Sequence, residues 1–188
     1  MFSRFGRASA ALLLCTAAVA CGEPPTKEMD LARQTIEAAR SAQAERYAPA
    51  ELTAAQAAID KSTAAVSNRD FKLALNHALD SHERAKTASS VATAAHRERR
   101  TRLDASLTDV TSRLASARTT VDAAARVQSS RRAAVRTGRV LDMIEKDLQK
   151  AGALLGADDL DAADTLLARL SARMTGTLGA LPASARKS

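Results

Sequence analysis

Tryptophan is missing from this 188-residue chain, and one Tyr and three Phe bring aromatics to only 2%. Half-buried strands favour β-branched and aromatic residues, so so few aromatics argue against a sheet protein. Glycine is scarce and absent between 22 and 138, which leaves no Gly-rich loop there to cradle a phosphate. The two cysteines, Cys15 and Cys21, are too few for a disulfide framework or a thiolate metal site. Three histidines occur, His77, His82 and His96. His77 and His82 are five apart, so the i, i+4 spacing of helical zinc ligands is not met and no metal is expected. The serines have no elbow or triad context. No catalytic residue and no cofactor emerges, and the chain does not read as an enzyme.

Alanine is abundant instead, with 44 residues, and it is the strongest helix former. An all-α fold is expected. Residues 1–20 carry Arg4 and Arg7, no acid, and then an almost unbroken apolar run from Ala8 to Ala20. That order is the pattern of a secretory signal peptide. This run of 13 residues spans roughly 20 Å as a helix, short of a hydrocarbon core about 30 Å thick. Ala18-Val19-Ala20-Cys21-Gly22 resembles a bacterial lipobox, although the commonest form has Leu where Ala18 stands. Cys15 lies within the segment that export would remove, leaving Cys21 unpaired in an oxidising compartment. Lipidation of Cys21 accounts for it. In the lipoproteins it resembles, the residue after the cysteine influences sorting, and Gly22 points to the outer membrane with the chain facing the periplasm.

Residues 21–25 then form the lipidated Cys and a tether stiffened by Pro24-Pro25, 26–178 the helical domain, and 179–188 a flexible basic tail. Thr26 offers a hydroxyl N-cap for a first helix running to about Tyr47, where Pro49 disfavours helix in Ala48. A second helix over about 50–66 places Leu52, Ala55, Ile59, Ser62 and Val66 on one seam. From Asp70 to Thr137 there is neither Gly nor Pro. Leu103, Leu107, Val110, Leu114, Ala117, Val121 and Ala124 alternate steps of 4 and 3, a heptad signature. An earlier seam, Phe71, Leu75, Ala78, His82, Ala85, Ser89 and Ala92, is out of register with it, so a stutter or a break is expected near 96–102. Gly138 is a natural stop, Gly156-Ala157-Asp158 reads as a cap to cap junction, and a last helix covers about 159–178. The expected architecture is antiparallel helical hairpins with a long central coiled-coil-like helix, a bundle if that helix breaks and a rod if it does not.

A shift of 89 residues lays Leu52, Ala55, Ile59, Val66, Phe71 and Ala74 upon Leu141, Ile144, Leu148, Leu155, Leu160 and Ala163, and Asn68-Arg69-Asp70 upon Ala157-Asp158-Asp159. Duplication and independent hairpins of like packing both produce such an echo. Ala48-Pro49-Ala50-Glu51-Leu52, spaced alanines, and Arg69-Asp70-Phe71 with Ala74 and Ala78 resemble the domain of unknown function 4398 family over about residues 26–100. The resemblance implies an exported helical lipoprotein. Members also occur beside an OmpA-like peptidoglycan-binding domain, of which this chain shows no trace. No established activity and no functional residue is implied.

Charge is the remaining signal. Residues 97–139 hold eleven arginines against Glu98, Asp104, Asp109 and Asp122, while the mature stretches before and after are each net −1. Arg97, Arg99, Arg100, Arg102, Arg131, Arg132 and Arg136 are therefore candidate polyanion contacts. At about 100° per residue the whole set spreads around a helix, as on a solvated surface. The acidic run Asp158, Asp159, Asp161 and Asp164 reads as cap and dipole complement of a helix start. The expectation is a lipid-anchored structural or adaptor protein of the envelope, or else a module that binds lipopolysaccharide or peptidoglycan through residues 97–139. Its expected partners are the membrane, through lipid on Cys21, an envelope protein or anionic envelope polymer, and a second copy through its helices. Nucleic acid is disfavoured by compartment and by the lack of stacking aromatics.

Overall fold

The computed structural model describes residues 22–179. They are all-α, with helices α1 (Thr26–Ser41), α2 (Ala44–Tyr47), α3 (Pro49–Ser67), α4 (Phe71–Ala125), α5 (Arg131–Gly156) and α6 (Leu160–Gly179). The expected signal segment 1–20, Cys21 and the expected tail from 180 lie outside the described residues. Two compact units divide between Thr93 and Ala94.

The first unit contains α1, α2, α3 and the start of α4. Thr26 is not the N-cap expected of it: Pro25 occupies that position, without a side-chain cap, and the ladder begins with Met29 N–H donating to the Pro25 carbonyl. The first helix is also interrupted, with Gln43 left-handed at φ 61° before α2 begins. Buried positions explain the break. Met29, Ala32, Ile36 and Ala39 step by three and four, but the next buried residue is Ala44, five on, a step one helical face cannot accommodate. On α3, Leu52, Ala55, Ile59 and Ser62 are buried as the seam requires, and Val66 is half-buried beside them. Ser62 Oγ donates to the Ala74 carbonyl and Ser81 Oγ to the Ala55 carbonyl, each at 2.8 Å. These paired contacts fix α3 antiparallel to α4. A serine reaches an opposing backbone only where two helices approach closely, and small side chains permit that approach.

Within α4 the first seam differs from expectation. Ala74, Ala78, Ser81, Ala85, Ala88 and Ala92 are buried, while Phe71, Leu75, His82 and Ser89 flank them half-buried. The closely packed centre admits only alanine and serine, so the larger side chains sit beside it. The helix does not break near 96–102. From Ala92 to Leu103 the seam continues through half-buried His96 and Arg99, steps of 4, 3 and 4 that average about 3.67 residues per turn. This is a stutter whose positions are polar, and so invisible to a search for apolar residues.

The second unit contains the rest of α4 with α5 and α6. All seven heptad positions from Leu103 to Ala124 join one apolar cluster, six buried and Leu107 half-buried. Gly138 does not stop a helix. The chain turns at 126–130 instead, and both Gly138 and Gly152 lie inside α5, opposite Val121 and Leu107 of α4 respectively. Those pairings make α5 antiparallel to α4. Hydrogen bonds from Arg99 to Asp161 and from Arg113 to Thr175 keep a constant offset of 62 residues, so α6 runs parallel to α4.

The echo extends to the corners. After α3, Arg69 N–H donates to the Val66 carbonyl and Asp70 N–H to the Ala65 carbonyl. After α5, Asp158 donates to Leu155 and Asp159 to Leu154. Arg69 and Asp158 are left-handed, at φ 57° and 61°, in place of the glycine a Schellman corner usually takes. Asp70 then accepts from Leu73 N–H and Asp159 from Ala162 N–H, capping the next helix in each case. Every member of one corner lies 89 residues from its counterpart.

Candidate functional site

The candidate lipidation residue, Cys21, lies outside the described residues. The candidate arginines are described, and they form two groups with different electrostatic surroundings. Arg99 is the more enclosed, its side chain 19% exposed, and it donates to Asp161 at 2.8 Å and Asp164 at 3.2 Å. Arg100 reaches Asp158 at 3.2 Å and lies 3.8 Å from Asp104. His96 Nε2 lies 3.1 Å from the other Asp158 oxygen. Arg102 is 3.9 Å from Glu98. Arg118 reaches Asp142 at 3.0 Å and pairs also with Glu145. The Asp142 hydrogen bond leads in raising the Arg118 pKa above its ordinary value, so this guanidinium stays charged at any working pH.

The local excess over 97–139 counts only that segment's own acids. Folding brings Asp142, Glu145, Asp158, Asp161 and Asp164 against its α4 arginines, all from beyond residue 139. The signal that could have located Asp158, Asp161 and Asp164 is the seam: His96 and Arg99 fall on a buried register, and an arginine there requires carboxylates opposite.

Arg131, Arg132, Arg136 and Arg139 on α5 are exposed and make no ion pair among the described residues. The same holds for Arg97 on α4. From Arg126 to Leu141 there are five arginines and no acid. α5 also lacks a side-chain cap and has no acid in its first turn, whereas Asp70 and Asp159 cap α4 and α6. Arg131 and Arg132 thus stand at the positive end of the helix dipole, the unfavourable end for a cation. Because the chain turns at 126–130, the α5 arginines no longer spread as the full set does. At about 100° per residue, Arg131, Arg132, Arg136 and Arg139 fall within an arc of about 140°, opposite the arc that buries Leu141, Ile144 and Leu148.

An open cleft of about 450 Å³ between α5 and α6 is lined by Arg136, Thr137, Val140, Arg173, Gly176 and Thr177. In the first unit a smaller cleft of about 300 Å³ is lined by Glu51, Asp80, Glu83, Arg84 and Thr87, and there Arg84 is held at 2.9 Å by Asp80. Among the described residues no group of three or more His, Cys, Asp or Glu is placed to hold a metal ion. His82 Nδ1 lies 2.8 Å from Thr35 Oγ1, which itself donates to the Leu31 carbonyl. The Thr35 proton is therefore committed and Nδ1–H is the donor, which makes His82 a link between α1 and α4.

Residues 27–103 match the family described as Domain of unknown function (DUF4398), covering α1 to α3 and α4 as far as Leu103. Neither the curated proteins nor the solved structures give a match. The alanine-spaced helices and the Arg69-Asp70 corner that carry the resemblance lie within that span, so residues 27–103 are similar to the DUF4398 family.

Proposed function

We propose that the protein is a structural or adaptor element of the bacterial envelope, held at the outer membrane by lipid on Cys21 and facing the periplasm, without catalytic activity. The observation that carries this reading is Ala18-Val19-Ala20-Cys21-Gly22 after a basic and then apolar segment, with Cys15 inside that segment. A polar-surfaced helical module of two units suits a protein that works by presenting helix faces. No described helix is long and apolar enough to cross a membrane, so in this reading attachment depends on the lipid. Cys21→Ser tests it. The variant should move from the membrane to the soluble fraction, and the mature wild type should have a lipidated Cys21 as its first residue by intact mass. A variant that stays membrane-bound through a high-salt wash, or any other mature N-terminus, contradicts the anchor.

A second reading is a module that binds an anionic envelope polymer, lipopolysaccharide or peptidoglycan, through the arginine-rich segment. It is favoured by Arg131, Arg132 and Arg136, which have no carboxylate partner among the described residues. Arg99, Arg100 and Arg102 are engaged with acids and contribute less to it. Such binding weakens with salt, since the screening length at 0.15 M is only about 8 Å. A pull-down with purified wall or lipopolysaccharide across a salt series tests it.

A further inference from the structure

The outward face of α5 combines two properties. It carries Arg131, Arg132, Arg136 and Arg139 without acidic partners among the described residues, and it exposes large apolar side chains among them. Among the described residues of the second unit, Val127, Val135 and Met143 are the exposed large hydrophobics, at 53%, 52% and 46%. Val127 lies in the turn before α5, and Val135 and Met143 lie in its first half. By helical register, Val135 and Met143 fall within the same arc of about 140° as the arginines. From α6, Arg173 reaches the Met143 sulfur at 3.8 Å and shares the open cleft with Arg136. On α4 of this unit, Arg99, Arg100, Arg102, Arg113 and Arg118 all stand beside carboxylates, with Arg97 exposed, whereas this face combines arginines unpaired among the described residues with exposed Val and Met.

We infer that this face, Arg131 to Met143 with Arg173, docks on the surface of a bilayer containing anionic phospholipid. The arginines meet headgroup phosphates while Val135 and Met143 enter the boundary between headgroups and acyl chains, the arrangement of an interfacial amphipathic helix. A soluble polyanion would use the arginines alone and leave exposed Val and Met without a role. Placing negative charge at the start of α5 also complements its uncapped N-terminus and relieves the unfavourable position of Arg131 and Arg132. The inference deepens the anionic-partner reading and rests on the chain's being in the envelope, but not on lipid at Cys21.

Sedimentation with vesicles tests it, using the mature chain, residues 21–188, with Cys21→Ser throughout so that neither the export segment nor the anchor plays a part. One vesicle set is phosphatidylcholine alone and the other contains phosphatidylglycerol. Binding should require phosphatidylglycerol and fall with salt. Arg132→Glu with Arg136→Glu and Arg139→Glu should weaken it roughly a hundredfold or more. Lys27→Glu with Lys61→Glu and Lys72→Glu, the same charge change in the first unit, should leave most of it. Val135→Gln with Met143→Gln keeps all charges and the helix, and should weaken vesicle binding about tenfold while leaving binding to soluble polyphosphate unchanged. The inference is overturned if the chain ignores phosphatidylglycerol vesicles at low salt, or if the two triple variants lose binding equally. It is also overturned if the Gln variant binds vesicles like its parent, since the face would then read charge alone. Circular dichroism of each variant confirms that helix content is retained.

Discussion

The two units solve one packing problem with opposite side chains. In the first, nine of thirteen residues in the main apolar cluster are alanine, and Ser62 and Ser81 are buried with it. In the second, five of seventeen are alanine and the rest are Leu, Ile, Val and Met. Corners with matching hydrogen bonds, 89 residues apart, join helices in both. The hairpin geometry therefore does not depend on core volume: it is set by the left-handed corner, the Asp cap and the period of the buried positions. What changes is how stability arises. Leucine burial removes large apolar area from water, whereas alanine packing relies on close backbone approach, dispersion contacts and helix propensity.

The sharpest break in the comparison should come from removing volume in the second unit. Leu141→Ala, at a fully buried position, should cost about 2 to 5 kcal/mol in urea denaturation. Adding volume in the first unit should be the next largest effect. Ala85 is fully buried in the closely packed seam, and Ala85→Leu should cost about 1 to 3 kcal/mol, with faster amide exchange in α1 and α3. Ser62→Ala removes one interhelical hydrogen bond and should cost about 1 kcal/mol; a larger loss would make that bond, rather than close packing, the main tie between α3 and α4. The smallest effect should have the opposite sign. A Cβ on Gly138 would meet Val121 at 4.0 Å and one on Gly152 would meet Leu107 at 3.9 Å, both ordinary contacts. Either Gly→Ala change should raise stability by about 0.5 to 1 kcal/mol, read as a higher urea midpoint.

How much of this was legible in the sequence follows from the same contrast. The heptad from Leu103 to Ala124 could be read directly, because large aliphatic residues against a polar background mark a face clearly. The α3 seam was legible for the same reason, and the junction after α5 was located one residue early: Gly156-Ala157-Asp158 pointed to a cap at Asp158, whereas Asp158 is the left-handed residue and Asp159 caps α6. The first seam of α4 was not legible, because alanine is common on every face and Phe71, Leu75 and His82 drew the register away from Ala74, Ser81 and Ala88. The stutter at His96 and Arg99 was hidden by polarity. The helix end at Ala125 had no Gly or Pro to mark it, while Gly138 suggested a stop that α5 passes through. In the basic segment, residue counting located the arginines but could not see that Asp158, Asp161 and Asp164 return against Arg99 and Arg100. Only the parallel placement of α6 against α4 brings them together, and that separates engaged arginines from those on the open face of α5.

Ala55 and Ile144 hold equivalent places in the two hairpins, 89 residues apart, and both are fully buried. Exchanging them tests most directly whether one geometry carries two kinds of core. Ile144→Ala should lower stability by about 2 to 5 kcal/mol through lost burial, and Ala55→Ile should lower it by about 1 to 3 kcal/mol through overpacking. Urea midpoints read by circular dichroism should therefore fall for both variants. A midpoint that is unchanged or raised by Ala55→Ile would mean that the first unit has room for a larger side chain, and would contradict a core held by close alanine packing.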